Sequence, residues 1–94
     1  MILEWDPAKD VINIAKHGLS LIDAKLVYDA PYKITVSSPQ QGEDRQMDIA
    51  LVETVGIVLV LVYVARGPTL RAISLRRASK AERRFYVETR NKAQ

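Results

Sequence analysis

Cationic side chains dominate the carboxy-terminal part of this sequence. From Arg66 onward there are nine basic residues, seven of them arginine, and two acidic ones, Glu82 and Glu88. Guanidinium groups form forked hydrogen bonds with phosphate oxygens and stack on bases. The excess charge therefore indicates a surface for a nucleic acid or an acidic partner, or alternatively a solvated helix face beside a basic strand.

Composition excludes several other catalytic arrangements. The chain has no cysteine and one histidine, and its acids are scattered singly apart from the pair at positions 43 and 44. A thiol nucleophile and a pair of histidine ligands are therefore impossible, and a metal-dependent hydrolase is not favoured. The four glycines lie far apart, so no glycine-rich phosphate loop exists. We expect neither a metal ion nor a cofactor.

Cleavage of a phosphodiester without a metal ion remains chemically accessible to such a chain. The internal nucleophile in that reaction is the 2′-hydroxyl, which restricts the substrate to RNA. The reaction needs a base for the hydroxyl proton, cations for the developing phosphorane charge and an acid for the 5′-oxygen. Arginine can hold the charge, but at neutral pH it does not readily carry the proton.

Two candidate residues end the first predicted helix, and each also has a structural explanation. Lys16 and His17 lie in its last turn, directly before Gly18. There they move protons or contact a phosphate, or they only complement the helix dipole.

The other candidates are carried by the predicted sheet and the last helix. Arg45 opens a strand, where it serves a site or pairs with Glu43 or Asp44. Arg66 and Arg76 end successive strands, and strand ends are where a sheet presents side chains to a ligand. Tyr86 lies on the last helix, where it stacks on a base or packs in the core.

Helix signals open the chain. Asp6 and Pro7 begin a helix that Gly18 ends. This helix carries an apolar stripe formed by Ala8, Val11, Ile12 and Ala15. Ser20 and Asp23 form a capping box for a second helix over residues 21–28.

Four strands are predicted next, over residues 32–37, 45–52, 57–65 and 69–76. A polar loop joins the first two over residues 38–44, and residues 53–56 form a hairpin turn. The third strand is apolar on both faces, which is typical of a central strand. Strict alternation in the last strand places Arg71, Ile73 and Leu75 on one face, and on the other Leu70, Ala72, Ser74 and Arg76.

Ser79 and Glu82 form a capping box for a final helix. This helix reaches Tyr86 and extends toward Thr89, and the tail over residues 91–94 is expected to fray. The order of elements predicts an α+β fold. Ninety-four residues suffice for a single domain over residues 1–94.

Neither a membrane span nor a targeting segment is expected. The longest apolar stretch, residues 55–65, is shorter than the ~20 residues that cross a bilayer as a helix. The amino terminus lacks the basic region of a signal peptide. We therefore expect a cytoplasmic protein with no membrane contact.

Several motifs, in this order along the chain, resemble those of the BrnT family of toxins. The matching segments are Glu4-Trp5-Asp6-Pro7-Ala8-Lys9 with Asn13 and Lys16-His17-Gly18, then Glu43-Asp44-Arg45, Tyr63-Val64-Ala65-Arg66, residues 71–78, and residues 82–86. Together they extend over nearly the whole chain, which makes the resemblance specific.

The resemblance implies a RelE-like fold with two amino-terminal helices, a four-stranded mainly antiparallel sheet and one carboxy-terminal helix. It implies a type II toxin that cleaves RNA without a metal and inhibits translation. Its site residues would be Arg45, Arg66 and Arg76, with Lys16 and His17 nearby and Tyr86 at the edge. We also expect Lys9, Arg71, Arg77 and Tyr86 to contact RNA.

The same resemblance implies a partner. A BrnA-like antitoxin with a ribbon-helix-helix domain would neutralise the toxin in a hetero-oligomer, and the pair would reach operator DNA only through the antitoxin. The alternatives are a basic module that docks an antitoxin or a nucleic acid without chemistry, and a degenerate family member kept only as an antitoxin partner.

Overall fold

The computed structural model describes residues 1–37 and 44–93. Of the polar loop predicted over residues 38–44, residues 38–43 lie outside this part, as does Gln94. The helices are α1 Pro7–His17, α2 Ala24–Tyr28 and α3 Lys80–Ala93, with a 3₁₀ turn Leu21–Asp23 before α2. The strands are β1 Ile2–Glu4, β2 Ile34–Ser37, β3 Gln46–Val52, β4 Ile57–Arg66 and β5 Thr69–Arg77.

The α+β fold class is confirmed, but the sheet is five-stranded and mixed. Its strand order is β1-β5-β4-β3-β2, so β4 is central as predicted. The strand that the sequence did not predict is β1, which pairs with β5 in parallel from Ile2 opposite Thr69 to Glu4 opposite Arg71. Three residues are too few to show an alternating pattern, so β1 is a strand only because the edge of β5 provides its partners.

Two apolar layers cover the two faces of the sheet. The α2 face is covered by Leu21, Ala24 and Val27, which pack on buried residues of β3, β4 and β5. The opposite α3 face is covered by Tyr86 of α3, which packs with Ile49, Val58 and Val60. Among the described residues, no helix has the length and apolar character needed to cross a bilayer.

Helix α1 begins and ends as predicted. The Asp6 side chain accepts from the Ala8 N–H (2.9 Å), Pro7 is the first helical residue, and Gly18 has the left-handed φ of 70°. The predicted apolar stripe is not its buried face, however, because Val11 and Ile12 are 68% and 62% exposed. The buried residue of α1 is Asn13.

Asn13 occupies that position because the edge of β5 needs hydrogen-bond partners. Its Nδ2 donates to the carbonyls of Leu19 (2.7 Å) and Leu75 (2.8 Å), and its Oδ1 accepts from the Leu75 N–H (3.2 Å). Strand β1 covers that edge only as far as Arg71. The amide of Asn13 thus replaces a neighbouring strand at Leu75, where unpaired buried peptide groups would be costly.

A β-bulge in β5 overturns the strict alternation predicted for this strand. Tyr63 pairs with Ala72 and Val62 with Ser74, which leaves Ile73 without a partner on β4. The additional residue shifts the side-chain phase, since two residues of one strand then oppose one of the other. As a result, Leu70, Ala72 and Leu75 share the α2 face, and Arg71, Ser74 and Arg76 share the α3 face.

The other caps are confirmed in part. Ser20 accepts from the Ile22 N–H (3.3 Å). The carboxylate that completes this cap is not Asp23 but Asp10 of α1, which accepts from the Leu21 N–H (2.7 Å) and from Ser20 Oγ (3.2 Å). Leu21–Asp23 form a 3₁₀ turn rather than the first turn of an α-helix.

The capping box of α3 is confirmed by reciprocal hydrogen bonds between Ser79 and Glu82 (2.8 and 3.1 Å). Helix α3 extends through Ala93, beyond the predicted end near Thr89, so residues 91–93 are helical. The end of α3 is held by Arg90, which donates to the Tyr86 hydroxyl (3.3 Å) and lies over the Tyr32 ring.

Candidate functional site

A groove between α1 and β5 brings together three of the predicted functional residues, Lys9, Lys16 and His17. It has a volume of about 280 Å³, and its other lining residues are Ile12, Asn13, Ile73 and Ser74. The helical residues of this set recur at the spacing of one helix face. The hydrogen bonds of Asn13 to Leu75 hold that face against β5. We call this cavity the α1–β5 groove.

Positive charge in the α1–β5 groove has no internal counterpart. Lys9 and Lys16 are exposed and His17 is half-buried, and none of them forms a hydrogen bond or ion pair with another residue of the described ranges. The adjacent Asp10 is already engaged by Ser20 and Leu21. Donors without acceptors attract an anion, so the groove is suited to a phosphate group.

The strand side of the groove depends on the bulge in β5. Ile73 is the bulged residue, and Ser74 follows it. Bulges redirect side chains next to functional sites. A period-two pattern contains no sign of this extra residue, so sequence reasoning missed both Ile73 and Ser74 as groove residues.

Arg76 lies two residues beyond Ser74 on the same strand face and is held by Glu82. Its Nη1 and Nη2 donate to the two carboxylate oxygens of Glu82 (2.7 and 2.9 Å). This hydrogen bond is the largest cause that lowers the pKa of Glu82 to about 2, and it raises the pKa of Arg76. The guanidinium is therefore fixed in position, with its fork turned to Glu82.

The predicted arginines do not gather in one pocket. Arg66 is opposite Thr69, whereas Arg76 is opposite Val60. Arg66 lies six positions along β4 from Val60, which corresponds to about 20 Å. Successive antiparallel strands end at opposite ends of a sheet, so ending a strand does not bring these two residues together. The register places both on the α3 face of the sheet.

The remaining predicted arginines have separate surroundings. Arg45 directly precedes β3 and is half-buried, and its buried Nε has no hydrogen-bond partner among residues 1–37 and 44–93. Arg71 pairs with Glu4 (3.2 Å) at a surface position. Arg77 is exposed and lies on the α2 face, opposite to Arg76.

Tyr86 is a core residue and not a stacking platform. It is 2% exposed, its hydroxyl donates to the Tyr32 carbonyl (3.2 Å), and the two rings meet edge to face at 5.8 Å. The expectation that Tyr86 stacks on a base is therefore wrong for this conformation, because its ring has no free face. The neighbouring Phe85 is the aromatic residue that faces solvent, at 47% exposure.

A polar cluster that the sequence did not indicate lies beneath α2. The Asp48 carboxylate is fully buried and accepts from Lys33 Nζ (2.8 Å), Thr35 Oγ1 (2.7 Å) and the Tyr63 hydroxyl (3.0 Å). The pKa of Tyr63 is raised mainly by burial and, to a smaller extent, by the negative charge of Asp48. The sequence does contain one sign of this cluster: Asp48 shares one face of β3 with the apolar Ala50 and Val52.

No group of three His, Asp or Glu side chains in the described part of the chain is arranged to hold a metal ion. The α1–β5 groove is lined instead by two cations, Lys9 and Lys16, together with His17 and Ser74. Cations of this kind bind the oxygens of a phosphate directly.

The fold and the groove together define a small α+β domain with a surface suited to a polyanion. Residues 5–82 match the family described as the ribonuclease toxin, BrnT, of type II toxin–antitoxin systems. Because the match extends over most of the chain, the chain belongs to the BrnT family. No curated protein compared with the chain matches it. The family consists of ribonuclease toxins, and its type II class implies an antitoxin partner.

Proposed function

We propose that this chain is an endoribonuclease toxin that cleaves RNA without a metal ion and so inhibits translation, with the α1–β5 groove as its active site. The observation that carries the proposal is the convergence of Lys9, Lys16 and His17 in one groove with no acidic partner among the described residues. Membership of a ribonuclease family supports the reaction class.

In the proposed reaction the groove residues act on one phosphodiester bond. His17 takes the proton of the 2′-hydroxyl, and the 2′-oxygen attacks phosphorus. Lys9 and Lys16 hold the charge of the phosphorane, where a correctly placed cation is most effective. The bond to the 5′-oxygen breaks as that oxygen receives a proton from Lys16, which leaves a 2′,3′-cyclic phosphate and a 5′-hydroxyl end.

The arginines of the sheet bind the substrate on either side of that bond. Arg66, Arg71 and Arg76 share the α3 face of β4 and β5 over about 20 Å. Arg71 and Arg76 are ion-paired with Glu4 and Glu82, so an RNA strand lying along this row would compete with those two carboxylates. The half-buried Arg45 precedes β3 on the other side of β4 and adds a further positive charge. This arrangement replaces the single arginine pocket by an extended track.

The test is cleavage of purified RNA by the purified protein in EDTA. We expect cleavage to persist and to produce cyclic phosphate ends. His17→Ala and Lys16→Ala should each reduce the rate by about 10²- to 10⁴-fold. The matched control is Lys92→Ala, an exposed cation on α3 outside the groove.

Two results would contradict this proposal. Loss of cleavage on chelation would exclude the metal-independent reaction. Full activity of both groove variants would place the active site elsewhere in the molecule.

We also propose that the antitoxin partner is a BrnA-like ribbon-helix-helix protein that covers α1 beside the groove. Val11, Ile12 and Ile14 are 68%, 62% and 47% exposed, and apolar patches of this kind mark interaction sites. Co-expression with the product of the adjacent open reading frame should relieve growth arrest. Ile14→Glu should abolish that relief while cleavage by the toxin alone continues, and relief that survives this change would place the partner on another surface.

A further inference from the structure

A second basic groove lies along α3, away from the α1–β5 groove. It has a volume of about 460 Å³ and is lined by three cations, Lys80, Arg83 and Arg84, together with Val58, Val87 and Glu88. The three cations occupy positions i, i+3 and i+4, so they lie on one face of the helix. We call this cavity the α3 groove.

The cations of the α3 groove are held by nothing else in the described ranges. Lys80, Arg83 and Arg84 are exposed and form no hydrogen bond or ion pair with another described residue. Glu88 lies one turn from Arg84, at a spacing that permits an ion pair, yet the two do not pair. By contrast, Arg76 on β5 donates to Glu82, and Arg90 near the end of α3 donates to the Tyr86 hydroxyl.

Such a cluster weakens the helix unless a ligand compensates it. Lys80 and Arg84 are like charges at i, i+4, which destabilises a helix. Val58 and Val87 contribute an apolar part of the lining. A lining that combines cations with apolar side chains suits a phosphodiester strand whose charges meet the cationic groups.

The position of the α3 groove connects it with the α1–β5 groove. The Ala78 N–H donates to the Val58 carbonyl (2.9 Å), which places the start of α3 beside β4. Ser74 of the α1–β5 groove is opposite Val62, four residues and about 13 Å along β4 from Val58. Arg76, opposite Val60, lies midway between them.

We propose that the α3 groove binds the phosphodiester backbone of single-stranded RNA a few nucleotides away from the bond cleaved in the α1–β5 groove. This inference rests on the proposed function for the identity of the nucleic acid. An acidic protein segment would offer carboxylates to the same cations; RNA is favoured because the α3 groove lies about 13 Å along β4 from the α1–β5 groove.

The experiment is equilibrium binding of a fluorescent single-stranded RNA oligonucleotide with 2′-O-methyl riboses, which cannot be cleaved by the 2′-hydroxyl route. Anisotropy titrations over a range of salt concentrations give the slope of log K against log salt. Each phosphate contact contributes about 0.7 to this slope for a single strand, so the triple variant K80Q/R83Q/R84Q should lower it by about 2. Circular dichroism establishes that α3 is intact.

Single variants give a matched comparison on the same helix. Arg84→Gln should lower the slope by about 0.7, whereas Lys92→Gln, which removes an exposed charge outside the groove, should not change it. An unchanged slope in the folded triple variant would overturn the inference. The inference would also be overturned if the triple variant lost binding to polyglutamate as strongly as it lost binding to RNA, because the groove would then be assigned to an acidic protein.

The outcomes for the two proposals are distinguishable. If the wild-type protein cleaves RNA but the triple variant keeps the wild-type slope, the α3 groove inference fails alone. If the slope falls as expected but the wild-type protein cleaves no RNA, the α3 groove stands as a binding site and the nuclease proposal fails.

Discussion

Charged side chains are paired in one region of the molecule and unpaired in another. The first region is the polar cluster around Asp48, which we call the Asp48 cluster, and the second is the α1–β5 groove. Asp48 is fully buried, and its carboxylate receives hydrogen bonds from Lys33, Thr35 and Tyr63. In the α1–β5 groove, Lys9 and Lys16 have no partner among the described residues. The first region is complete within the chain, while the second offers donors to something outside it.

This difference separates polar residues that stabilise the fold from polar residues that are available for function. A buried charge must be paired and hydrogen-bonded, since an unpaired one costs several kcal/mol. Exposed lysines carry no such requirement, so their concentration in a groove needs another explanation. Both regions contain lysines, so residue type alone does not distinguish them.

The largest expected change in the free energy of unfolding is for a substitution at Asp48. Asp48→Ala leaves the Lys33 ammonium and the Tyr63 hydroxyl without their acceptor, and we expect a loss of about 3–5 kcal/mol in the free energy of unfolding. Urea titration of wild type and variant measures it. The control Asp44→Ala removes an exposed carboxylate and should change little, and a loss below 1 kcal/mol for Asp48→Ala would break the comparison.

A smaller loss in the free energy of unfolding is expected at Asn13. This residue lines the α1–β5 groove, but it is one of the buried polar residues that stabilise the fold. Asn13→Ala leaves the N–H and carbonyl of Leu75 unpaired, at about 2–3 kcal/mol of unfolding free energy. Thermal unfolding measures the loss, and hydrogen exchange should accelerate at the Leu75 amide. Ile14→Ala is the control on the exposed side of the same helix, and equal effects of the two changes would contradict the role of the amide.

The Arg76–Glu82 ion pair should make the free energy of unfolding depend on pH. Glu82 has its pKa lowered from 4.5 to about 2, so its stabilisation is complete above about pH 4.5 and is lost as the pH falls toward 2. We expect Glu82→Gln to lower the free energy of unfolding by about 2 kcal/mol at pH 7. Urea titrations of both proteins should converge as the pH approaches 2, and a gap that stays constant over this range would exclude the Arg76–Glu82 pair as its source.

The smallest effect on stability is expected in the groove itself. Lys16→Gln removes an exposed charge that has no partner in the described ranges, so unfolding free energy should stay within about 0.5 kcal/mol of wild type. Thermal unfolding and RNA cleavage, measured on the same sample, separate the two roles. A marked loss of stability would show that this lysine belongs with the buried cluster after all.

Local sequence signals predicted the elements well. The Asp6 cap, the left-handed Gly18, the hairpin turn before β4 and the Ser79–Glu82 box each depend on residues within a few positions of one another. The central strand was evident because both of its faces are apolar. Strand β1 was missed because its three residues become a strand only by pairing with β5.

Only part of the candidate site was expected from the sequence, since the α1–β5 groove contains Lys9, Lys16 and His17 but none of the predicted arginines. Lys16 and His17 do lie in one groove with Lys9, as their spacing on a single helix allows. Arg66 and Arg76 lie at opposite ends of the β4–β5 pair, which no local pattern reveals. Tyr86 packs on Tyr32, a residue more than fifty positions away in the chain.

The amino-acid sequence by itself determined the α+β order of elements, their caps and the surplus of cations, because these depend on near neighbours and on residue type. Only the tertiary structure decided which cations meet. Antiparallel pairing set the separation of Arg66 and Arg76, the bulge at Ile73 changed the phase of β5, and the open edge of β5 selected Asn13 over the apolar stripe of α1. Each of these choices satisfies backbone hydrogen bonds between distant segments, a requirement that acts only once those segments are in contact.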